Sequence, residues 1–354
     1  MQFQRSKLAT IGLELAYFTG AIRLIESRAG GAGVILRFEH VRPPRDLRFQ
    51  PLKAYEITPH FLESVILAVR KWGFDIVSLD DVIERAQRKR LERRFVCLTF
   101  DGGHRDFMSF AYPVLSKHRA PFSVYVPAGF VDGIGKAWWL ALEQVVARNT
   151  RIGLVMDRDE RHFNASSLSE KYQLYGYLHV WLNSLPPADL AVAIGDLCAR
   201  YGIDLVAVSR DTTVTWQDLA KLARDPQATI GSATVNYPNL ARIKNADALR
   251  EMTMGRSVLE TALDHPCQHF AYPFGGQDSF GPRDVLLARE AGFVSAATTE
   301  PGVIRVDGRT DLMSLPRIGW DGRSQSLRVL RALLSGIAVR REPAPMPEAP
   351  ASYG

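Results

Sequence analysis

Phe95-Val96-Cys97-Leu98-Thr99-Phe100-Asp101-Gly102-Gly103 is the stretch that decides how this 354-residue chain is read. Its run from Phe95 to Phe100 is apolar at nearly every position, the pattern of a strand covered on both faces, as in a parallel sheet. The run ends on a carboxylate, and the C-terminal ends of such strands are where α/β folds place their chemistry. Gly102 and Gly103 let the backbone turn sharply or lie close against a ligand. Asp101 is therefore a candidate catalytic or metal-site carboxylate. The alternative is an Asp that caps the following helix.

Outward from this strand, strand and helix alternate. Val34-Ile35-Leu36 opens a strand that reaches Phe38-Glu39-His40, and residues 59–72 carry apolar side chains at helical spacing before Gly73. Strands are expected over 74–79, 122–126, 228–232, 268–272 and 293–298, with helices over 80–90, 107–118, 246–264, 283–291 and 325–339. That rhythm predicts an α/β protein with a parallel sheet or barrel. Residues 136–212 break it: Ala137-Trp138-Trp139-Leu140 starts a series of helix-like stretches, read as an α-helical insertion between two barrel strands. The expected organisation is an amphipathic helix over 7–26 within residues 1–30, a barrel domain over 31–340, and a Pro- and Ala-rich tail over 341–354 that reads as disordered.

Composition bounds the function. Hydrophobic residues make up 46% of the chain and charged ones 23%, enough for a sizeable core. The charge of +6, from 44 basic and 38 acidic residues, is only mildly basic. The densest cluster, Arg88-Lys89-Arg90 with Arg93-Arg94, reads as a solvated helix face, and no nucleic-acid motif accompanies it. Cys97, Cys198 and Cys267 are far apart and form no CxxC pair, so nothing demands an oxidising compartment. No secretory pattern and no apolar run of membrane-spanning length is seen. The expectation is a cytoplasmic protein, or one at a membrane periphery through residues 7–26.

Four segments in order carry a resemblance: Leu98-Thr99-Phe100-Asp101-Gly102-Gly103, Ile230-Gly231-Ser232-Ala233-Thr234-Val235-Asn236-Tyr237-Pro238, Phe270-Ala271-Tyr272-Pro273-Phe274-Gly275 and Leu315-Pro316-Arg317-Ile318. Together they resemble the NodB-homology polysaccharide deacetylases, the type of carbohydrate esterase family 4, over roughly residues 30–340. Thr298-Thr299-Glu300-Pro301-Gly302 and Trp138-Trp139-Leu140-Ala141-Leu142-Glu143 suit one bacterial subgroup. The resemblance implies a distorted (β/α) barrel and hydrolysis of a non-peptide C–N bond, the N-deacetylation of N-acetylated oligo- or polysaccharides. It also implies a divalent metal, commonly zinc. A metal polarises the amide carbonyl and lowers the pKa of water while a carboxylate takes the proton.

By the same resemblance Asp101 holds the general-base position, and the three metal-ligand positions are Gly102, Ala233 and Tyr237. Gly and Ala have no ligand atom, and a Tyr phenol is a rare zinc ligand. Ala271 stands where many relatives carry an Arg beside the base. Glu39 and His104 are the substitutes by which a relocated site with Asp101 is conceivable, with His40 and Asp106 nearby; a polar aromatic opening a helix is the plainer reading of His104. His265 and His269 have His-x-x-x-His spacing, but Pro266 argues against a helix presenting both. Tyr272, Pro273, Phe274, Arg317 and Trp320 are the candidate substrate contacts. Arg317 could orient Asp101, bind a carbonyl oxygen or bridge two loops. Trp138, Trp139, Trp216 and Trp320 suit either core packing or stacking on sugar rings. Two functions follow as expectations: a deacetylase-like protein impaired by the absent ligands, or a non-catalytic carbohydrate-binding or scaffold protein in glycan assembly.

Overall fold

Phe95–Asp101, buried at every position, lies in an eight-stranded, all-parallel sheet in the computed structural model, which describes residues 12–14, 18, 31–90, 93–306, 308–337 and 352–353. The strands are β1 (Gly33–Phe38), β2 (Asp75–Val77), β3 (Phe95–Asp101), β4 (Phe122–Val126), β5 (Ala228–Ser232), β6 (His269–Ala271), β7 (Ser295–Ala297) and β8 (Ile318–Gly319). Their spatial order is β7-β6-β5-β4-β3-β1-β8. β1 pairs with β3 along its length, from Gly33 opposite Phe95 to Phe38 opposite Phe100. The other edge of β3 is shared: β2 pairs with Phe95–Cys97 and β4 with Leu98–Asp101.

The segment after β7 closes the curl. Leu315 N donates to Ala296 O (2.8 Å), Thr298 N donates to Leu315 O (3.0 Å), and β8 then pairs with Leu36 and Arg37 of β1. The sheet is thereby a distorted (β/α) barrel whose seam is this short crossing.

Side chains alternate across each strand with period two. Val34, Leu36, Val96, Leu98, Phe100, Phe122 and Val124 face the surrounding helices in the main core. Ile35, Cys97 and Tyr125 point inward and meet Ala233, Ala271, Ala297 and Leu315 in the barrel interior. The helices begin where caps allow: Thr58 caps Pro59–Lys71, and Ser78 forms a capping box with Asp81 on Leu79–Gln87. The expected helix over 107–118 is a π-helical turn, Phe107–Ala111, followed by an α-helix, Tyr112–Lys117.

The insertion differs from expectation in one respect. Helices Trp138–Arg148, Leu168–Ser184, Pro187–Tyr201 and Leu205–Thr212 are joined by an antiparallel hairpin, Arg151–Met156 with Asp159–Asn164. Asp157 (φ 53°) and Arg158 (φ 76°) both adopt left-handed backbone at its turn, the geometry of a primed two-residue hairpin turn. Without glycine there, and with a second strand rich in charge, the hairpin left little trace in the sequence. The insertion has its own core, including Leu142, Ile152, Phe163, Leu174 and Leu178.

The expected amphipathic helix over 7–26 lies outside the described residues except for 12–14 and 18. There Leu13 packs into the main core and Glu14 accepts from Ser326 Oγ (3.1 Å). Of the tail over 341–354, only Ser352–Tyr353 is described, a strand pair antiparallel to Phe163 and His162. Among the described residues no helix is long and apolar enough to cross a membrane.

Candidate functional site at the barrel mouth

At the C-terminal end of β3, Asp101 is gripped by one guanidinium. Arg317 donates from Nη1 to Oδ1 (2.6 Å) and from Nη2 to Oδ2 (2.9 Å), a bidentate fork. Arg317 is wholly buried, and its Nε donates to Thr298 O (2.7 Å). Nη1 also reaches Thr99 Oγ1 (3.3 Å), whose hydroxyl donates to Leu36 O (2.9 Å), and the guanidinium lies 5.3 Å from the centre of the Tyr125 ring. The base position thus carries an ion pair assembled from β3 and from the seam that closes the barrel.

A second pair adjoins it. Arg37 Nη1 lies 3.6 Å from Asp101 Oδ2 and also pairs with Glu39. Burial opposes the Arg37 charge, but Glu39 and Asp101 outweigh it and hold the guanidinium above its usual range. Burial pushes the Glu39 carboxyl up, against the pull of Arg37. Two carboxylates and two guanidinia balance at the mouth.

On the other side of Gly102 stand two stacked imidazoles. The rings of His40 and His104 are 3.9 Å apart at 23°, and His40 Nδ1 lies 2.8 Å from Asp106 Oδ2. Burial drives both down to about 3, helped by Arg42 at His40 and by His40 at His104, so both are neutral at ordinary pH. Burial also raises the Asp106 carboxyl. Beyond them Glu56 accepts from Arg42 (2.6 Å) and Arg45 (2.5 Å), and Arg45 reaches Glu143 (3.3 Å).

The three implied metal-ligand positions do not fit a metal. Gly102 holds φ 93° with its N donating to Tyr125 O (3.0 Å), and the space a Cβ would take is occupied by the His104 ring. Ala233 is buried in the interior apolar cluster. Burial first, then Asp101 and Glu39, hold the Tyr237 hydroxyl above its usual range, and it accepts from Phe274 N (3.3 Å). A phenol kept protonated by two neighbouring carboxylates is a poor ligand. Among the described residues no group of three or more His, Cys, Asp or Glu side chains is placed to hold a metal ion.

The remaining candidates scatter. Tyr272 lies in the core, its hydroxyl donating to Met313 O (2.9 Å) and its ring stacked 4.2 Å from Phe280. Pro273 is buried beside it, while Phe274 joins Trp138, Trp139 and Tyr237 where the insertion meets the barrel. Trp320 packs on Phe61 and lines a small cleft with Arg37, Glu39, Tyr55 and Ile57. The cleft offers about 10 Å³, space for one water. Trp216 donates to Asp132 (2.9 Å) on the outer face. Glu39 and His104 flank Asp101 on opposite sides, each held by a partner of its own. His269 binds Ser295 Oγ (2.9 Å) and Asp80 Oδ1 (3.1 Å) at the start of β6, the opposite end of the barrel from Asp101, while exposed His265 bonds Pro266 O. Sequence reasoning overlooked Arg37 and Thr99. The signal for both was the two-residue strand period, which puts Arg37 with Glu39 and Thr99 with Asp101.

A family profile described as polysaccharide deacetylase matches residues 190–294. Over these residues the chain resembles the polysaccharide deacetylase family. Within this family the deacetylase PplD of Streptococcus pyogenes, in complex with acetate, superposes with a TM-score of 0.55 at 16% identity, covering 85% of this chain and 97% of PplD. IcaB from Ammonifex degensii gives 0.54 at 16%, covering 86% and 98%. BC0361, a polysaccharide deacetylase from Bacillus cereus, gives 0.54 at 13%, covering 85% and 68%. At such identities the likeness is one of fold. No curated protein matches the sequence significantly. The profile match holds two of the lost ligand positions, Ala233 and Tyr237, while Asp101 and Arg317 lie outside it.

Proposed function

We propose that this deacetylase-like protein binds N-acetylated oligo- or polysaccharide without hydrolysing it by the metal route of the family it resembles. One observation carries the reading: the side chains at 102, 233 and 237 offer no metal-ligand set, and among the described residues no group of three or more His, Cys, Asp or Glu side chains is placed to supply one. A general base needs a free lone pair within reach of the proton it takes. The fork leaves each Asp101 oxygen a second lone pair, but the side chains at 102, 233 and 237 supply no Lewis acid site to polarise an amide. Amide cleavage without that electrophilic assistance is slow.

The carbohydrate assignment rests on the family resemblance and on the exposed edge of Tyr55 beside Trp320, an aromatic rim suited to a sugar face. The test incubates the protein with N-acetylglucosamine oligomers and added zinc or cobalt, and measures acetate. No release above the Asp101→Asn variant is expected, with calorimetric oligomer binding unchanged by chelator. Acetate release that Asp101→Asn abolishes would overturn the reading, and so would the absence of oligomer binding.

A further inference from the structure

We infer that His104 occupies the space of the ligand carboxylate at position 102, so that metal loss is enforced sterically and not only by absent donors. The inference rests on the reading above and explains what took the place of the metal. A Cβ built at Gly102 would stand 2.9 Å from His104 Cε1 and 3.0 Å from Cδ2, and closer still to Nε2. Such approaches force one partner to move. The imidazole has little freedom to do so: it is nine-tenths buried, stacked on His40, and its backbone is bridged to Thr213. His40 is in turn held by Asp106. Gly102 itself sits at φ 93°, where a side chain adds backbone strain. A residue with a Cβ at 102 and an imidazole at 104 are therefore alternatives.

Charge points the same way. Asp101 and Glu39 are already matched by Arg317 and Arg37, so a divalent cation entering the mouth meets no uncompensated carboxylate.

A double-mutant cycle on the intact chain tests the steric claim through melting temperature. Gly102→Ala is expected to lower Tm in the native background and to lower it markedly less with His104→Ala, because the clash is then gone and only the backbone strain remains. Equal falls in both backgrounds would overturn the inference. Zinc content after dialysis gives a second readout. Gly102→Asp, Ala233→His and Tyr237→His together should retain essentially no zinc, whereas adding His104→Ala to the three should bring it towards about one ion per chain. Zinc bound equally well with His104 present would overturn the inference. Acetate release by the native protein would overturn only the proposed function, so the two failures are told apart.

Discussion

Asp101 and Arg317 form the buried ion pair at the barrel mouth. The pair is almost wholly buried, and such a pair is weak evidence of stabilisation, because its attraction must offset the desolvation of two ions. Removing one partner is another matter, since it strands the other charge in a low-dielectric interior. Arg317→Ala is expected to cost about 3–5 kcal/mol, while Arg317→Met with Asp101→Leu should recover much of the loss. Urea denaturation of the three variants measures it, and a loss below about 1 kcal/mol for Arg317→Ala would show that the carboxylate is already solvated. Both residues were legible in the sequence as motif positions, but their partnership was one of three roles left open for Arg317. What resolved it is the seam from Leu315 to Gly319, which crosses from β7 to β1 and carries the guanidinium inward over Asp101.

At the level of elements, the strands and helices of the barrel were readable because local signals agreed. Apolar period and the Gly73 stop pointed one way, and the caps at Thr58 and Ser78 in the structure agree with them. The hairpin of the insertion failed that test. Its turn residues, Asp157 and Arg158, adopt left-handed backbone that L-residues other than Asn, Asp and Gly rarely accept, so propensity spoke against the structure that tertiary packing selects. Arg158 is also exposed, leaving no packing to lose on substitution. Arg158→Gly, which creates the favoured Asp-Gly turn, is expected to raise stability by about 0.5–1 kcal/mol, the relief of strain exceeding the entropy a glycine adds to the unfolded chain. A calorimetric melt decides the matter: an unchanged or lower Tm would mean that the turn is not strained in solution.

Among the described residues the core falls into three clusters, one between the sheet and its helices, one inside the barrel and one within the insertion, the last two sharing Tyr237, which packs on Trp139 and Phe274. Neutral histidines occur at the mouth, where His40 and His104 are buried, and in the insertion, where His179 is half-buried against Trp138. Their placement was not legible: an isolated His in sequence looks alike whether it caps, faces solvent or is buried. Burial is the principal cause that drives His40 and His104 down to about 3 and His179 to about 4, against an unfolded value of 6.5. Above about pH 6.5 both states hold these rings neutral and stability is insensitive to them. As pH falls below 6.5 the unfolded chain takes up protons that the native fold refuses, so unfolding is favoured progressively towards pH 4. Glu39, Asp106 and Glu143, raised chiefly by burial, act in the opposite sense because the native state protonates them first. These carboxyls offset part of the imidazole effect. Urea midpoints measured from pH 7.5 down to 5 should therefore hold steady and then decline. His179→Leu should flatten the decline by the share of one proton, since that ring titrates apart from the stacked pair. A midpoint constant down to pH 5 would show that water reaches these rings in the native state.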